Sequence, residues 1–282
     1  MPALRHRAAH FILKKLGMFN RSYREEIAGR KFVIPIINGR KTYASEEWMV
    51  EVLRGLFALR DGAFVDVGVN LGQTMLKVAA IDPDRDYVGF EPNPACVDYA
   101  WKLIEANGFS YRVIPAGLSS ETGLLELQMF RGEDTDPSAS LVPAFRPGVV
   151  RTRNVLVFKL SDLPPDIIPA DVAVVKIDVE GGELFVIEGL MPLLERTRPF
   201  LVVELLPARD DERRARQERL EAHLERLNYA IFRMQSDKSG QLTGIHRIDE
   251  FGLHDDLALC DYVFAPAEEI SRLEQRFHRL IA

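Results

Sequence analysis

The sequence predicts an α/β protein in which a doubly wound, mostly parallel sheet of seven strands is flanked by helices. From residue 63 onward, short apolar segments alternate with segments of helical periodicity, as in repeated strand–helix units. Several apolar segments end in glycine or acidic residues, as strands do where a ligand binds at the carboxyl edge of a sheet. The predicted strands are 63–67, 87–90, 111–114, 172–177, 200–205, 230–234 and 262–264.

The composition is that of an ordinary globular protein. The chain has 282 residues, of which 47% are hydrophobic and 28% are charged, so a large core is expected. Lys and Arg total 36 against 42 Asp and Glu, and the net charge of -6 does not favour a nucleic-acid partner. Cys96 and Cys260 are too few for a disulfide framework, and no apolar run is long enough to span a membrane. We therefore expect reduced, buried thiols and a cytoplasmic location.

Residues 1–45 are expected to form an extension before the main domain, which the sequence places at residues 46–282. Apolar residues within 4–16 recur near helical spacing in a locally basic region, so a short amphipathic helix is predicted. Such a helix has two uses, peripheral contact with an anionic membrane or packing against the chain's own domain or a neighbouring subunit. The sequence leaves both open, and it gives no oligomeric state.

A hairpin is predicted at residues 31–42. Apolar residues there precede Asn38 and Gly39, a pair that suits the positive φ angles of a tight turn. Ser45 follows, and the next residues are acidic before apolar residues recur at helical spacing. Ser45 is therefore predicted to be the N-cap of a helix.

Two further β-like segments, 124–130 and 155–160, lie between the third and fourth predicted strands. The connection between them is long and polar, and connections of this length in a compact domain are more often functional or mobile than decorative. Its acidic and hydroxyl residues include Asp134, Asp136, Ser138 and Ser140.

The first predicted strand ends in a glycine-containing turn at residues 66–74 that favours a nucleotide-like ligand. Gly68 and Gly72 are separated by three residues, and Asn70 stands where the dinucleotide-binding fingerprint has its second glycine. Close approach of a pyrophosphate is therefore disfavoured. Asp66 suits a ligand with an ammonium group, which S-adenosylmethionine has and a nicotinamide dinucleotide lacks. The alternative is a turn with a purely structural role.

The second predicted strand ends in Glu91, followed by Pro92, Asn93 and Pro94. Glu91 lies about 20 residues after the glycine turn, where an acidic side chain can accept hydrogen bonds from ribose hydroxyls. Asn93 is available to cap a helix that Pro94 begins. Helix capping alone is the alternative explanation of this segment.

The fourth and fifth predicted strands deliver carboxylates to the same edge of the sheet. Asp178 and Glu180 follow the fourth strand, and Glu204 lies at the end of the fifth. Acids at this position can orient a substrate hydroxyl, accept its proton or hold a divalent cation. Glu183 is more simply explained as a first-turn or surface charge of the following helix.

Residues 66–74, 91–94 and 176–183 together resemble the FkbM family of methyltransferases, in order and in spacing. The resemblance covers about residues 33–206. Weaker matches are residues 116–119, 138–141, 161–163 and 198–204. The sequence departs from the family's commonest pattern by having Val69 and Gly182 where alanine is usual, and nothing after residue 206 carries a motif that can be transferred.

The resemblance implies a class I methyltransferase (Rossmann-like) fold, S-adenosylmethionine as methyl donor, and hydroxyl acceptors on sugars, glycolipids, polyketides or other secondary metabolites. On this reading Asn93 assists Glu91 at the ribose, and Ser119 lies near the adenine. The full set of candidate donor-binding residues is Asp66, Gly68, Asn70, Gly72, Thr74, Glu91, Asn93, Ser119 and Asp178.

On the acceptor side, Glu180 is the favoured catalytic base, followed by Glu204, with Asp178 beside them. A divalent metal held by Asp178 and Glu204 is possible but not favoured. His246 and His254, which we place in loops, are weaker candidates for the base.

Two other functions use parts of the same pattern. A module that senses S-adenosylmethionine without catalysis needs the donor motifs but not the acids beyond the fourth and fifth strands. A nicotinamide-dependent oxidoreductase also uses a ribose-binding acid, but the spacing of Gly68 and Gly72 argues against it. The sequence therefore favours an O-methyltransferase acting on a small-molecule or glycan acceptor.

Overall fold

A mixed sheet of eight strands forms the centre of the fold in the computed structural model, which describes residues 20–43 and 45–281. The amphipathic helix expected at residues 4–16 lies outside these residues. The strands are β1 (Asn20–Ile27), β2 (Arg30–Ile37), β3 (Ala63–Val67), β4 (Tyr87–Phe90), β5 (Arg112–Ile114), β6 (Gly117–Leu118), β7 (Gly123–Met129), β8 (Arg151–Phe158), β9 (Val172–Ile177), β10 (Phe200–Glu204), β11 (Tyr229–Ser236), β12 (Leu242–Ile248) and β13 (Asp261–Pro266). The α-helices are α1 (Glu47–Leu59), α2 (Gln73–Ile81), α3 (Pro94–Asn107), α4 (Glu183–Thr197), α5 (Asp211–Arg226) and α6 (Ile270–Arg276).

The central sheet has the strand order β12-β11-β13-β10-β9-β3-β4-β5. Strands β10, β9, β3, β4 and β5 are parallel to one another, whereas β13 is antiparallel to both β10 and β11. All seven predicted strands are present, with ends that differ by a few residues from the prediction. The eighth strand, β12, was not predicted, and it places His246 in a strand rather than a loop. Its mixed apolar and polar residues, with Gly244 among them, give little of the alternation that marks a half-buried strand.

Helices cover both faces of the sheet, as expected for a doubly wound fold. One buried cluster joins the sheet to α1, α2, α3, α6 and the β1–β2 hairpin, and a second joins it to α4 and α5. Successive side chains of a strand point to opposite faces. Phe64 in β3 therefore packs in the first cluster, and Val65 and Val67 pack in the second.

The hairpin before the main sheet differs from the predicted one. Strands β1 and β2 pair antiparallel around a turn at Ala28 and Gly29, so the prediction of a hairpin at residues 31–42 was wrong. Asn38 and Gly39 do form a turn with positive φ, but no strand follows it. The first strand was missed because its sequence is mostly polar and exposed.

The hairpin is docked on the main domain by one side chain of α3. The Asn107 carboxamide accepts a hydrogen bond from the Val33 N–H at 2.8 Å and donates one to the Val33 carbonyl at 2.8 Å. These are the two bonds that a neighbouring strand would make. A single amide side chain therefore satisfies part of the hairpin's open edge.

The starts of two helices test the predicted caps. Ser45 is not the cap of α1, because the N-cap position is Glu46, with a φ of 49°. The backbone N–H of Trp48 instead donates to the Gly240 carbonyl at 2.7 Å. The predicted cap of α3 is confirmed, since Asn93 Oδ1 accepts a hydrogen bond from the Ala95 N–H.

A small sheet of order β6-β8-β7 is inserted between β5 and β9. It confirms the two additional β-like segments, although their ends are shifted to those of β7 and β8. Residues 130–150 connect these two strands, and we call them the connecting segment. The insert lies at the carboxyl edge of the central sheet.

Cys96 and Cys260 are free and buried, as predicted. Among residues 20–43 and 45–281, no helix combines the length and the apolar character that crossing a membrane requires.

Candidate active site

A cavity of about 880 Å³ opens at the carboxyl ends of β3, β4, β9 and β10. The insert and the connecting segment contribute its outer wall. Asp66 and Gly72 do not line it. The predicted site residues that line it are Gly68, Asn70, Thr74, Glu91, Asn93, Ser119, Asp178, Glu180 and Glu204. The structure therefore brings most of the predicted residues, from five separate parts of the chain, to one cavity.

The turn after β3, which we call the glycine loop (residues 68–72), has a backbone that few residues can adopt. Gly68, Asn70 and Gly72 have φ values of 92°, 47° and 79°. A Cβ atom on Gly68 would lie 1.9 Å from the Asp178 carbonyl oxygen, so only glycine fits there. Asn70 stabilises its own strained position, since its Oδ1 accepts a hydrogen bond from the Leu71 N–H at 2.7 Å.

Glu91 connects the glycine loop to the turn after β4. Its two carboxylate oxygens accept hydrogen bonds from the backbone N–H groups of Asn70 and Asn93, each at 2.8 Å. The residue is 6% exposed, and burial raises the pKa of its carboxyl to about 7. An ionised carboxylate has about four acceptor directions, so two remain for a ligand in the cavity.

Asp66 lies beneath the cavity floor. Its side chain is fully buried, the Tyr87 hydroxyl donates to Oδ2 at 2.6 Å, and burial raises the pKa of the carboxyl. Its other oxygen is 3.5 Å from Lys176 Nζ. Asp66 does not line the cavity, so its contact with a ligand's ammonium group stays a prediction. In this arrangement its partners are Tyr87 and Lys176.

Lys176 was not among the predicted site residues. Its Nζ donates to the Gly68 carbonyl at 3.0 Å and is 3.0 Å from Asp178 Oδ2. Burial alone would lower the pKa of Lys176, but Asp178 and Asp66 outweigh that effect and raise it. The sequence carried one signal of its role, a lysine inside an otherwise apolar strand that is buried throughout.

Asp178, Glu204 and Asp261 form an acidic group at the ends of β9, β10 and β13. The charge of Asp178, followed by burial, holds the pKa of Glu204 well above its usual value. Burial raises the pKa of Asp261 to about 7. The raised pKa of Glu204 favours its protonated form.

Glu180 is occupied by contacts with the connecting segment. Arg146 forms an ion pair with its carboxylate, and the Ser140 hydroxyl donates to its carbonyl at 2.7 Å. Burial raises the pKa of the Glu180 carboxyl to about 7, although Arg146 opposes this shift. Its φ of 56° makes it a strained non-glycine residue. Glu180 therefore holds the outer wall in place as well as lining the cavity.

Glu183 begins α4, as predicted, but it is 3% exposed and not a surface charge. Its Oε1 accepts a hydrogen bond from the Gly181 N–H at 2.8 Å, and burial raises the pKa of its carboxyl to about 7. His246 lies 3.0 Å from Gln235 Oε1, and His254 lies 3.0 Å from the Asp256 carbonyl. Neither histidine lines the cavity.

Within residues 20–43 and 45–281, no group of three or more His, Cys, Asp or Glu side chains is arranged to hold a metal ion. Asp178 and Glu204, the pair considered for a metal, both line the cavity, and no third His, Cys, Asp or Glu of the described residues completes such a group with them.

The comparisons with known proteins agree with the sequence resemblance. The profile of the family described as "Methyltransferase FkbM domain" matches residues 66–231. A search of curated proteins finds no significant match. Solved structures with a similar backbone include methyltransferase FkbM from Methylobacillus flagellatus KT, with 14% identity and a TM-score of 0.45 over 72% of this chain and 43% of that chain. The chain thus spans less than half the length of that protein.

Two other solved structures cover the chains more evenly. Cofactor-bound Rv0187 from MTB has 12% identity and a TM-score of 0.46 over 80% of this chain and 81% of that chain. The O-methyltransferase TomG from Streptomyces achromogenes, in complex with SAM, has 13% identity and a TM-score of 0.42 over 78% and 80%.

The sheet order, with its antiparallel β13, and the family match together confirm the predicted doubly wound class I methyltransferase fold. The match extends over more than half of the 282 residues and includes the glycine loop, Glu91 and the acids after β9 and β10. The chain therefore belongs to the FkbM methyltransferase family.

Proposed function

We propose that this protein transfers a methyl group from S-adenosylmethionine to a hydroxyl oxygen of a sugar, a glycolipid or another secondary metabolite. The observation that carries the proposal is the buried Glu91 carboxylate, which is fixed by two backbone N–H groups and lines the same cavity as Asp178 and Glu204. This arrangement supplies a site for a ribose and a site for a hydroxyl proton in one cavity.

The residues present fit the proposed donor. Glu91 retains acceptor directions for ribose hydroxyls, and Asn93 and Ser119 line the neighbouring wall. When bound, S-adenosylmethionine supplies an electrophilic methyl group on a positively charged sulfonium. The carboxylates of the cavity suit a cation, because a concave surface of one charge sign attracts the opposite sign.

The acceptor hydroxyl has to lose a proton, and a carboxylate within hydrogen-bond reach can take it. The raised pKa of Glu204 favours its protonated form, which makes it a poor base. Glu180 is ion-paired with Arg146 of the outer wall, whereas Asp178 is ion-paired with Lys176 of the cavity floor. We therefore propose Asp178 as the base, held in place by Lys176. The remaining rate enhancement comes from holding the hydroxyl close to the methyl group and from excluding water.

Calorimetry tests the donor assignment directly. S-adenosylmethionine and S-adenosylhomocysteine are expected to bind and to raise the Tm, whereas a nicotinamide dinucleotide is not. A ligand that binds only the folded state stabilises it by about 2.7 kcal/mol at a hundredfold excess over its Kd. Binding of the dinucleotide without binding of either adenosyl compound would refute the assignment.

A labelled methyl donor with a panel of hydroxylated sugars and glycolipids tests the acceptor class. Transfer to an oxygen of one panel member supports the proposal. Transfer to a nitrogen or carbon acceptor instead would correct the reaction while leaving the donor assignment intact.

A further inference from the structure

Lys176 is a charged residue in a fully buried strand of the cavity floor. Strand β9 is buried along its whole length, and Lys176 itself is 5% exposed. An ammonium group in such surroundings is costly unless opposite charges and acceptors surround it. Asp66 lies directly opposite Lys176 in the register of β3 and β9, and both side chains point to the same face.

The ammonium contacts three parts of the site at once. It lies 3.0 Å from the Gly68 carbonyl in the glycine loop, 3.0 Å from Asp178 Oδ2 and 3.5 Å from Asp66 Oδ1. An ammonium group has three N–H donors, so each contact can receive one. The backbone reinforces this junction, because the Asp178 N–H donates to the Val67 carbonyl at 3.0 Å.

We propose that Lys176 is a positioning residue that ties the glycine loop, through the Gly68 carbonyl, to the carboxylate of Asp178. The inference rests on the proposed function in one respect only, the assignment of the glycine loop to the donor and of Asp178 to the acceptor. If the glycine loop or the carboxylate of Asp178 is displaced, the ammonium group of Lys176 transmits that displacement to the other. Lys176 thereby sets the distance between the glycine loop and the carboxylate of Asp178.

Lys77 is a matched control. It is also a buried lysine, at 2% exposure, and its Nζ lies 2.7 Å from Glu46 Oε2. Among the hydrogen bonds and ion pairs of the described residues, its ammonium contacts neither Gly68 nor Asp178. Lys77→Met therefore removes a buried charge and an ion pair but leaves the contacts of Lys176 with Gly68 and Asp178 in place.

Hydrogen exchange of the ligand-free protein tests the tie to the glycine loop. Lys176→Met is expected to speed exchange of the amides in residues 68–72 by about tenfold or more, because the loop loses its charged anchor. Lys77→Met should leave those amides within about twofold of wild type. Equal acceleration in the two variants would overturn the proposal, since any loss of a buried lysine would then explain it.

A double-mutant cycle in Tm tests the tie to Asp178. Asp178→Asn should lower the Tm of the wild type but raise the Tm of Lys176→Met, because it removes a carboxylate that has lost its partner. Additive effects contradict the tie. If Lys176→Met does not fold, recovery of the fold by Asp178→Asn supports the tie, and failure to recover contradicts it.

Calorimetry with S-adenosylhomocysteine tests whether the contacts of Lys176 affect ligand binding. Lys176→Met is expected to bind it about tenfold more weakly, and Lys176→Arg to recover part of the affinity, because the guanidinium can still reach an acceptor. Lys77→Met should bind as wild type does. Absence of binding to the wild type would refute the proposed function alone, since the exchange and Tm experiments need no ligand.

Discussion

At the proposed ribose site, we expect Glu91 to couple ligand binding to pH, because its carboxyl has a pKa near neutrality. Burial raises this pKa to about 7, and the ionised form is the better acceptor for ribose hydroxyls. The affinity for S-adenosylhomocysteine is therefore expected to rise between about pH 6 and about pH 8, as the carboxyl loses its proton. Titration calorimetry across this range measures the slope.

Glu91→Gln provides the matched variant for that titration. The amide keeps the size of the side chain but cannot accept both backbone N–H groups, so binding should weaken by about 1 to 3 kcal/mol. The rise in affinity with pH should also disappear. A slope that persists in Glu91→Gln would assign the pH dependence to another carboxyl of the cavity, with Glu180 the next to examine.

Residues at strand ends were predictable, whereas their partners were not. Glu91, Asp178 and Glu204 each follow an apolar run, so parallel pairing brings them to one edge of the sheet. The side-chain contacts of Asp66 depend on register and on which face it meets, which the sequence does not specify. The contact of Arg146 with Glu180 joins residues 34 positions apart, and Arg146 lies in the connecting segment, which contains no helix or strand.

At the scale of elements, the connecting segment is fixed to the site by an aromatic ring. Phe145 is 4% exposed, and its ring lies 4.2 Å from the Arg213 guanidinium carbon. Gly181 makes room for it, because a Cβ atom there would lie 2.3 Å from the ring. Gly181 also has a φ of 97°, which an L side chain rarely adopts.

Gly181→Ala is expected to displace Phe145 and release the connecting segment. The strain of the backbone and the steric overlap act in the same direction, at a cost of about 1 to 3 kcal/mol each. Limited proteolysis should then cut within residues 130–150 much faster than in the wild type. Gly132→Ala is the control in the same segment, since its Cβ would meet nothing within 4 Å. Equal cutting of the two variants would show that the segment is held elsewhere.

The elements that the sequence predicted are those with buried, apolar residues. The central strands β3, β4, β9 and β10 are covered on both faces, so each appears as an apolar run. Strand β1 and strand β12 lie at sheet edges or outside the main sheet, and their composition is mixed. Their pairing comes from a turn at Ala28 and Gly29 and from β11, which composition alone does not reveal.

At the scale of the whole molecule, buried carboxyls make stability depend on pH. Burial raises the pKa to about 7 for each of the carboxyls of Glu91, Glu180, Glu183 and Asp261. Their folded-state pKa values exceed the unfolded ones, so the folded state binds more protons between about pH 4 and pH 7. These groups therefore make the free energy of unfolding fall as the pH rises through that window.

Urea unfolding of the ligand-free protein between about pH 5 and pH 8 measures this fall. In Glu183→Gln the decline should be shallower, with the gain over wild type largest at the alkaline end, because the amide cannot ionise. The upper limit of that gain is about 3 kcal/mol, from a rise in pKa from 4.5 to about 7. An unfolding free energy that increases with pH across the window, in both proteins, would contradict the prediction.

The insert of β6, β7 and β8 has a consequence for how this chain can diversify. It enters after β5 and leaves before β9, so its sequence can change without altering the strands that carry the glycine loop and Glu91. Loops on a rigid scaffold tolerate such replacement far better than core strands do. If the proposed function holds, acceptor choice can evolve separately from donor use. Exchanging residues 120–158 between relatives is the corresponding route for an engineer who wants a new acceptor with the same donor-binding residues.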